Sequence, residues 1–455
     1  MELFLQIFQQ LTFIAAVAVV GLLIYRRVGF IRRNILLGKK IGPVADKPQR
    51  IKNMLLLAFG QRKMFDRPFV GLMHFVIYIG FVLINIEVLE IVLDGLFGTH
   101  RLFAPILGAL YPFLIGFFEL LALGVVVTCV IFWMRRNVFK IKRFHKPEME
   151  GWAFKDANII LVWEVVLMFC LFTMNATDSV LQGRAAESEY VAGHYFEAGN
   201  FLVSGAALTN LFESFTTHSL IFTERVAWWL HILGIFAFAV YVTYSKHLHI
   251  ALAFPTTYYT DLQPKGEMEN MEAVTAEVKD MLGLATAKAA TEEDEIGTFG
   301  AKDVADLSWK NLLDAYSCTE CGRCTSVCPA NLTGKALSPR KIMMDTRDRV
   351  EEVGKNIDLH GADYDDGKAL YGDYTTKEEL MACTTCNACV EACPIGINPL
   401  AIILQERRYI AMEESDTPNS WNSMFQNIEN NQAPWAFPAS DRFNWAEELK
   451  AEENK

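Results

Sequence analysis

Eight of the ten cysteines fall in two runs of one form, C-x2-C-x2-C-x3-C-P. The first is Cys318, Cys321, Cys324 and Cys328; the second is Cys383, Cys386, Cys389 and Cys393. Three thiols at intervals of three residues turn the backbone round one face of a cubane. The fourth, set apart by three residues and followed by proline, points at a neighbouring cluster. The spacing therefore predicts two [4Fe–4S] clusters with crossed ligands. Cys318, Cys321, Cys324 and Cys393 hold one, and Cys383, Cys386, Cys389 and Cys328 hold the other. Zinc sites take their thiolates in two pairs and have no use for the third thiol of each run. Two adjacent clusters suit one-electron relay. Cys129 and Cys170 lie in apolar stretches and read as buried thiols. Clustered thiols in a chain of this length indicate metal ligation in a reducing compartment, not a disulfide scaffold.

The second set of chemistry-bearing residues is buried in hydrophobic sequence. His74, His231, His247 and His249 lie in or at apolar segments, where an ionisable side chain is costly and marks function by default. His231 and His249 are 18 residues apart, so on one continuous helix they share a face about 27 Å apart, with His247 turned roughly 160° away. Imidazoles at both ends of one helix face suit haem groups stacked through a bundle. Glu87, Glu90, Glu119 and Glu164 also fall in apolar segments. Glu90 reads as helix-end polarity, and the other three need partners.

The elements that must position these residues divide the chain in two. Residues 1–249 carry 23 Lys/Arg against 17 Asp/Glu, and residues 250–455 carry 19 against 36. A basic apolar half joined to an acidic polar half excludes a single soluble globule. The acidic half also repels phosphate, which excludes a nucleic-acid partner. Five stretches, roughly 3–25, 69–93, 105–134, 157–177 and 226–246, are long enough to span a bilayer. The first lacks a positive n-region and is followed by Arg26 and Arg27, the reverse of a secretory signal. Residues 26–68 and 135–156 hold 12 and 7 Lys/Arg, whereas the intervening loops hold one and two. The positive-inside rule then predicts an inner (cytoplasmic) membrane protein with its N-terminus outside and its cysteine-bearing half in the cytoplasm.

The expected organisation is all-α. Residues 1–255 form a five-helix transmembrane domain, and 256–300 a linker with an amphipathic helix over 267–283. Residues 301–413 form a helical two-cluster domain. In it Ser308 caps a helix bearing Trp309, Leu312, Leu313 and Tyr316, and further helices cover 338–354 and 399–413. Residues 355–375 read as loop. The tail, 414–455, scatters Trp421, Trp435, Phe437, Phe443 and Trp445 among polar residues. Such aromatics suit docking to the chain's own body or to a partner. The loop 178–225 suits an amphipathic helix on the membrane surface. No G-x-G-x-x-G before a helix, Walker A motif or G-x-S-x-G is present, so nucleotide-cofactor and hydrolase readings gain no support.

Two resemblances add to this. The stretches 307–314, 318–324, 334–340 and 381–389, with a 54-residue spacer at 329–382, resemble the helical ferredoxin module of heterodisulfide-reductase-like iron–sulfur reductases. Residues 1–255 resemble the cytochrome b subunit of respiratory nitrate reductase and its counterpart in membrane heterodisulfide reductase. The matching features are Met73-His74 through Gly80 and His231-Ile-Leu-Gly through His249-Ile. This resemblance implies that His74 and His249 bind the inner haem b. The outer-haem histidine of helix 2 falls on Ile84, so one haem is expected, and His231 remains the candidate for a second. The reductase family also uses a Cys-Cys-Gly module, and no Cys-Cys pair occurs here. The resemblance thus implies a conduit between a cytoplasmic partner and the quinone or menaquinone pool. That partner is a Cys-Cys-Gly iron–sulfur subunit or electron-transfer flavoprotein. The competing reading is a membrane redox sensor or scaffold that uses the same clusters without quinone turnover.

Overall fold

The computed structural model describes residues 2–42, 44–195, 201–284 and 298–453. Among them no strand occurs, only two isolated bridges, Lys39 to Ser308 and Tyr371 to Thr375. Five helices are long and apolar enough to cross a membrane. They are α1 (Glu2–Ile35), α2 (Pro68–Phe97), α3 (Leu110–Asn137), α4 (Trp152–Gln182) and α5 (Thr217–Val242). Their outward faces are as apolar as their inward ones, with Leu11, Val19, Leu72, Phe81, Val127, Val162 and Phe222 all exposed. A helix with no polar face is built for hydrocarbon surroundings. α4 lies along α5, α2 along α3, and α3 along α4, while α2 and α5 meet only sparsely. At Gly80 an added Cβ would stand 2.7 Å from Val125 Cγ2, so the missing side chain lets α2 close on α3.

The fifth span departs from expectation. α5 stops at Val242 because Asp156 of α4 collects the next donors. Its carboxylate accepts from Ser245 Oγ at 2.7 Å, from the Lys246 amide at 3.1 Å, and from the Tyr241 hydroxyl. A tight turn, Lys246–Leu248, follows, and a new helix α6 (His249–Tyr258) starts there. His231 and His249 therefore do not share a helix face, and the 27 Å spacing does not apply. His231 sits in the middle of α5, eleven residues before its end, about 16 Å along the axis.

The loop beyond α4 also differs. It does not lie on the surface as one amphipathic helix. Short helical turns follow one another, and the described part re-enters the bundle: Phe201 and Ser204 are buried, and the Val203 amide donates to Glu119 at 2.8 Å. At this end Arg101 donates to Asp178 at 2.7 Å, to Asn175 at 3.1 Å and to Tyr111 at 3.2 Å. Tyr111 donates to Glu90, and Asn175 to Glu119. Glu90 and Glu119 thus have the partners that burial demands.

The second half contains α7 (Glu272–Met281), α8 (Trp309–Ser317), α9 (Pro339–His360), α10 (Pro399–Met412), α11 (Asn419–Asn431) and α12 (Asn444–Glu453). Ser308 caps α8 in a reciprocal box with Asn311. Leu312, Leu313 and Tyr316 are buried as expected, whereas Trp309 stacks edge-on against Tyr259. α9 runs six residues beyond the expected 354 before the irregular stretch begins. Most of the linker's acidic stretch, 285–297, lies outside the described residues. Trp421, Trp435, Phe437, Phe443 and Trp445 are all exposed, so the tail aromatics do not dock on the described body of this chain.

The two halves share one core. Ile31 of α1 and Leu248 pack into the same cluster as Leu312, Ile342, Val350, Leu380 and Ile403. α1 runs ten residues past Tyr25 and reaches α9, where Arg27 pairs with Glu351 at 2.7 Å.

Within this core Glu406 is fully buried, donated to by Thr375 and with Oε2 unpartnered. Burial pushes its carboxyl up to about 8 from 4.5. The folded state then holds the proton that the unfolded chain releases, so stability is full below about pH 4.5 and declines as pH rises towards 8. Glu406→Gln is expected to flatten that decline and to raise the unfolding midpoint at pH 8.5 while changing little at pH 5. Thermal unfolding of the purified full chain at both pH values checks it.

Candidate functional site

Both cysteine runs fold by one local device. The residues on either side of the second cysteine are left-handed: Glu320 and Gly322 round Cys321, Thr385 and Asn387 round Cys386. Two such inversions in three residues wrap the chain round a small volume, at positions where glycine and asparagine cost least. Gly322 is required twice over, since an added Cβ would meet Arg340 Nη1 at 2.5 Å. Each run then enters a short helix, Arg323–Val327 or Ala388–Ala392, and these two helices pack on each other. That packing brings the last cysteine of each run to the other. Cys393 acts electrostatically on Cys324, and Cys328 on Cys383 and Cys389.

Burial pushes the Cys318 and Cys389 thiols up to about 12 and Cys393 up to about 11. Thiols so placed are neutral until a metal takes them as thiolates and displaces the protons. Among the described residues no three such side chains converge closely enough for a single ion. A cubane instead takes one thiolate per iron, spread round its corners. The surroundings suit an anionic cluster. The Ile397 amide donates to Cys393 Sγ at 3.3 Å and the Thr385 amide to Cys383 Sγ at 3.4 Å, bonds that tune cluster potential. Arg407 donates to the Cys383 carbonyl at 2.6 Å. Arg323 is held over the first run by the Lys63 carbonyl.

A cavity of about 570 Å³ opens between α2, α3, α4, α5 and α6 and continues to the first run. Its lining includes His74, His231, His247 and His249 together with Cys318, Cys321, Cys324, Cys389 and Cys393. The rings of His74 and His249 face each other with centroids 6.5 Å apart. Two imidazoles sharing one metal, with bonds of about 2.0 Å and ring radii of about 1.1 Å, would stand up to about 6.2 Å apart. The nitrogens are set for it. His74 Nδ1 bonds Gln61 Oε1 at 2.9 Å, and His249 Nδ1 bonds the Lys246 carbonyl at 3.1 Å. A carbonyl only accepts, so Nδ1 carries the hydrogen and Nε2 presents its lone pair, the usual posture of a ligating histidine. The pair fits a bis-histidine haem. His247 stands edge-on to His249 at 5.4 Å, and burial beside His249 and His74 holds it down at about 3, hence neutral.

His231 has the same posture and no counterpart. Its Nδ1 bonds the Leu167 carbonyl at 2.9 Å, and its Nε2 is buried without a partner. The structure brings His74 and His249 together and leaves His231 alone, with Ile84 buried in the bundle and no imidazole set opposite among the described residues. Glu87 is likewise buried with Oε1 unpartnered. Cys129 lines the cavity as a buried thiol, and Cys170 is half-buried.

Residues that sequence reading missed tie the two centres together. Glu320, inside the first run, is ion-paired with Lys246 and with Arg347 at 2.7 Å. Burial opposes its charge, yet Lys246 and Arg347 hold it below the usual carboxylate range. Lys246 also lends its carbonyl to His249. One residue thus touches both the histidine pair and the cysteine run. Neither Lys246, Glu320 nor Gln61 carries a pattern signal, because each acts across elements far apart in the chain.

Comparisons with known proteins bear on the same region. A 4Fe-4S dicluster domain family matches residues 317–397. The probable iron-sulfur-binding oxidoreductase FadF of Bacillus subtilis (strain 168) is 27% identical over 443 residues, covering 90% of this chain and 57% of that protein. The EtfAB:quinone oxidoreductase of Syntrophomonas wolfei is 25% identical over 423 residues, 88% of this chain and 54% of that protein. A subunit of the ferredoxin/F(420)H(2)-dependent CoB-CoM heterodisulfide reductase of Methanosarcina acetivorans is 34% identical over 102 residues, 22% of this chain and 49% of that polypeptide. The chain spans little more than half the length of the first two. No solved structure matches. The chain carries a dicluster domain and is related to iron–sulfur oxidoreductases.

Proposed function

We propose that this chain is the membrane-embedded electron conduit of a quinone-linked iron–sulfur oxidoreductase. The observation that carries the reading is the continuous cavity joining the His74/His249 pair to the first cysteine run. Haem b and the two clusters, when bound, supply one-electron steps. The chain's own residues do the rest. Gln61 and the Lys246 carbonyl aim the two imidazoles, and the two runs hold the cubanes. Lys246, Glu320 and Arg347 keep the histidine turn and the first run in fixed register.

The route has a direction in space. Cys318, Cys321 and Cys324, with Cys389 and Cys393, line the cavity, whereas Cys386 is exposed. A soluble partner would exchange electrons at Cys386, and the quinone pool would exchange them at the histidine end. The relative named for EtfAB and quinone supports both ends, and the heterodisulfide reductase relatives support a redox partner subunit. The two Lys/Arg-rich loops emerge where the cysteine domain sits, so we place that domain in the cytoplasm and the N-terminus outside.

The test is menadiol-driven reduction of anaerobically purified full-length protein, followed by the b-type band and by cluster EPR. Reduction of both centres within seconds is expected, with about eight cluster irons per chain. Clusters that dithionite reduces and menadiol leaves oxidised would favour the sensor reading.

A further inference from the structure

The unpaired nitrogen of His231 has a use that needs no second haem. His231 is 1% exposed, its Nδ1 is committed to the Leu167 carbonyl, and its Nε2 lone pair faces the cavity wall space with no partner. A buried acceptor left bare is costly, so a ligand donor is the expected occupant. Glu164 lies one helical turn from Leu167 on α4, lines the same cavity, and has no hydrogen-bond partner among the described residues. An imidazole acceptor from α5 and a carboxylate from α4 thus line one cavity. α5 is pinned at this level. Gly234 lies so close to α4 that an added Cβ would meet Leu167 Cδ2 at 2.7 Å, and Trp163 Nε1 donates to the Gly234 carbonyl at 3.2 Å. Ile84, Val125 and Met168 add apolar side chains to the lining. Phe81, Val82 and Asn85 also line the cavity and are exposed on the outer face of α2, so the space opens sideways to where lipid would lie.

We infer that this space is the quinol headgroup site, an inference that rests on the quinone-linked reading above. A planar ring carrying two hydroxyls and an isoprenoid tail matches each wall. The apolar lining contacts the ring, the side opening passes the tail, and the two polar groups take the hydroxyls. On oxidation, one O–H breaks with its proton passing to His231 Nε2, the other with its proton passing to the Glu164 carboxylate, and both C–O bonds become C=O. The two electrons leave one at a time to the one-electron centres served by His74/His249 and the cysteine runs. Reduction of quinone is the same sequence reversed, with His231 and Glu164 delivering the protons. Glu87, buried one turn beyond Ile84 with a free Oε1, stands next in line towards the Glu90–Tyr111–Arg101–Asp178 network at the far end of the bundle.

The experiment uses full-length holoprotein in nanodiscs, with menadiol and decylubiquinol as probes. Wild type, Glu164→Gln, His231→Gln and His231→Ala are compared for haem per chain, dithionite-reduced spectrum, and the rate and KM of quinol-driven reduction. One haem per chain and an unchanged dithionite spectrum are expected in all four. Glu164→Gln is expected to slow quinol-driven reduction by about 100-fold at saturating quinol, the usual contribution of a positioned base. His231→Gln, whose amide cannot take the proton, is expected to slow quinol-driven reduction by a similar factor at saturating quinol. A fall in haem content in His231→Ala would make His231 a haem ligand and overturn the inference. So would quinol kinetics equal to wild type in both Glu164→Gln and His231→Ala. Either result leaves the broader reading standing, provided wild type is reduced by quinol. Failure of wild type itself would remove both.

Discussion

The His74→Ala protein, purified anaerobically and reduced with dithionite, is expected to show no b-type absorbance while its iron–sulfur EPR signals persist. Among the described residues, His74 and His249 are the imidazoles that the structure sets ring to ring near the spacing of two ligands to one metal, 6.5 Å. Removing one would leave a haem held by one histidine alone in a cavity open towards lipid. Gln61→Ala provides the graded version. It removes only the acceptor of His74 Nδ1–H, and loss of such an outer partner typically costs 10–100-fold in affinity. Haem should then be retained but easily stripped by apomyoglobin. An unchanged spectrum in His74→Ala would show that the ligand pair is wrong.

The second large effect concerns the crossing of the cysteine runs. Cys393→Ala is expected to abolish the cluster held by Cys318, Cys321 and Cys324, not that of its own run. Cys328→Ala should abolish the cluster under the exposed Cys386. Each should lower cluster iron from about eight to about four per chain. Menadiol separates the cases. In Cys328→Ala the surviving cluster adjoins the histidine cavity and should be reduced by quinol at close to the wild-type rate. In Cys393→Ala the survivor is stranded beyond the missing centre, so its reduction should slow by orders of magnitude while the b-type band still appears promptly. If the two variants exchange behaviours, each run ligates its own cluster.

What the sequence made legible followed from local regularity. The cysteine spacing is a short-range pattern, and the five apolar stretches are a solvent signal. The Ser308 cap and the helices of the second half follow from the same kind of information. The histidine geometry was legible only in part. His74 and His249 emerge through a family resemblance, and their meeting across the cavity is a tertiary fact. The supposed shared face of His231 and His249 failed because Asp156, about ninety residues away in the chain, captures the Ser245 and Lys246 donors and ends the helix early. No periodicity records such an event. Gln61, Lys246 and Glu320 were invisible for the same reason. The exposed tail aromatics show the converse limit: composition flagged them as contact residues, yet none of the described residues covers them.

The core common to both halves, with Ile31 and Leu248 seated among the ferredoxin residues, has a kinetic consequence. A redox domain on a tether must swing, and its throughput then falls as the medium thickens. If haem and clusters fill the sites proposed above, the gap between carriers would be set once, at folding, and tunnelling across it would be indifferent to viscosity. Turnover would be paced by arrivals at the two ends, the soluble visitor and the lipid-borne one, and not by any travel in between.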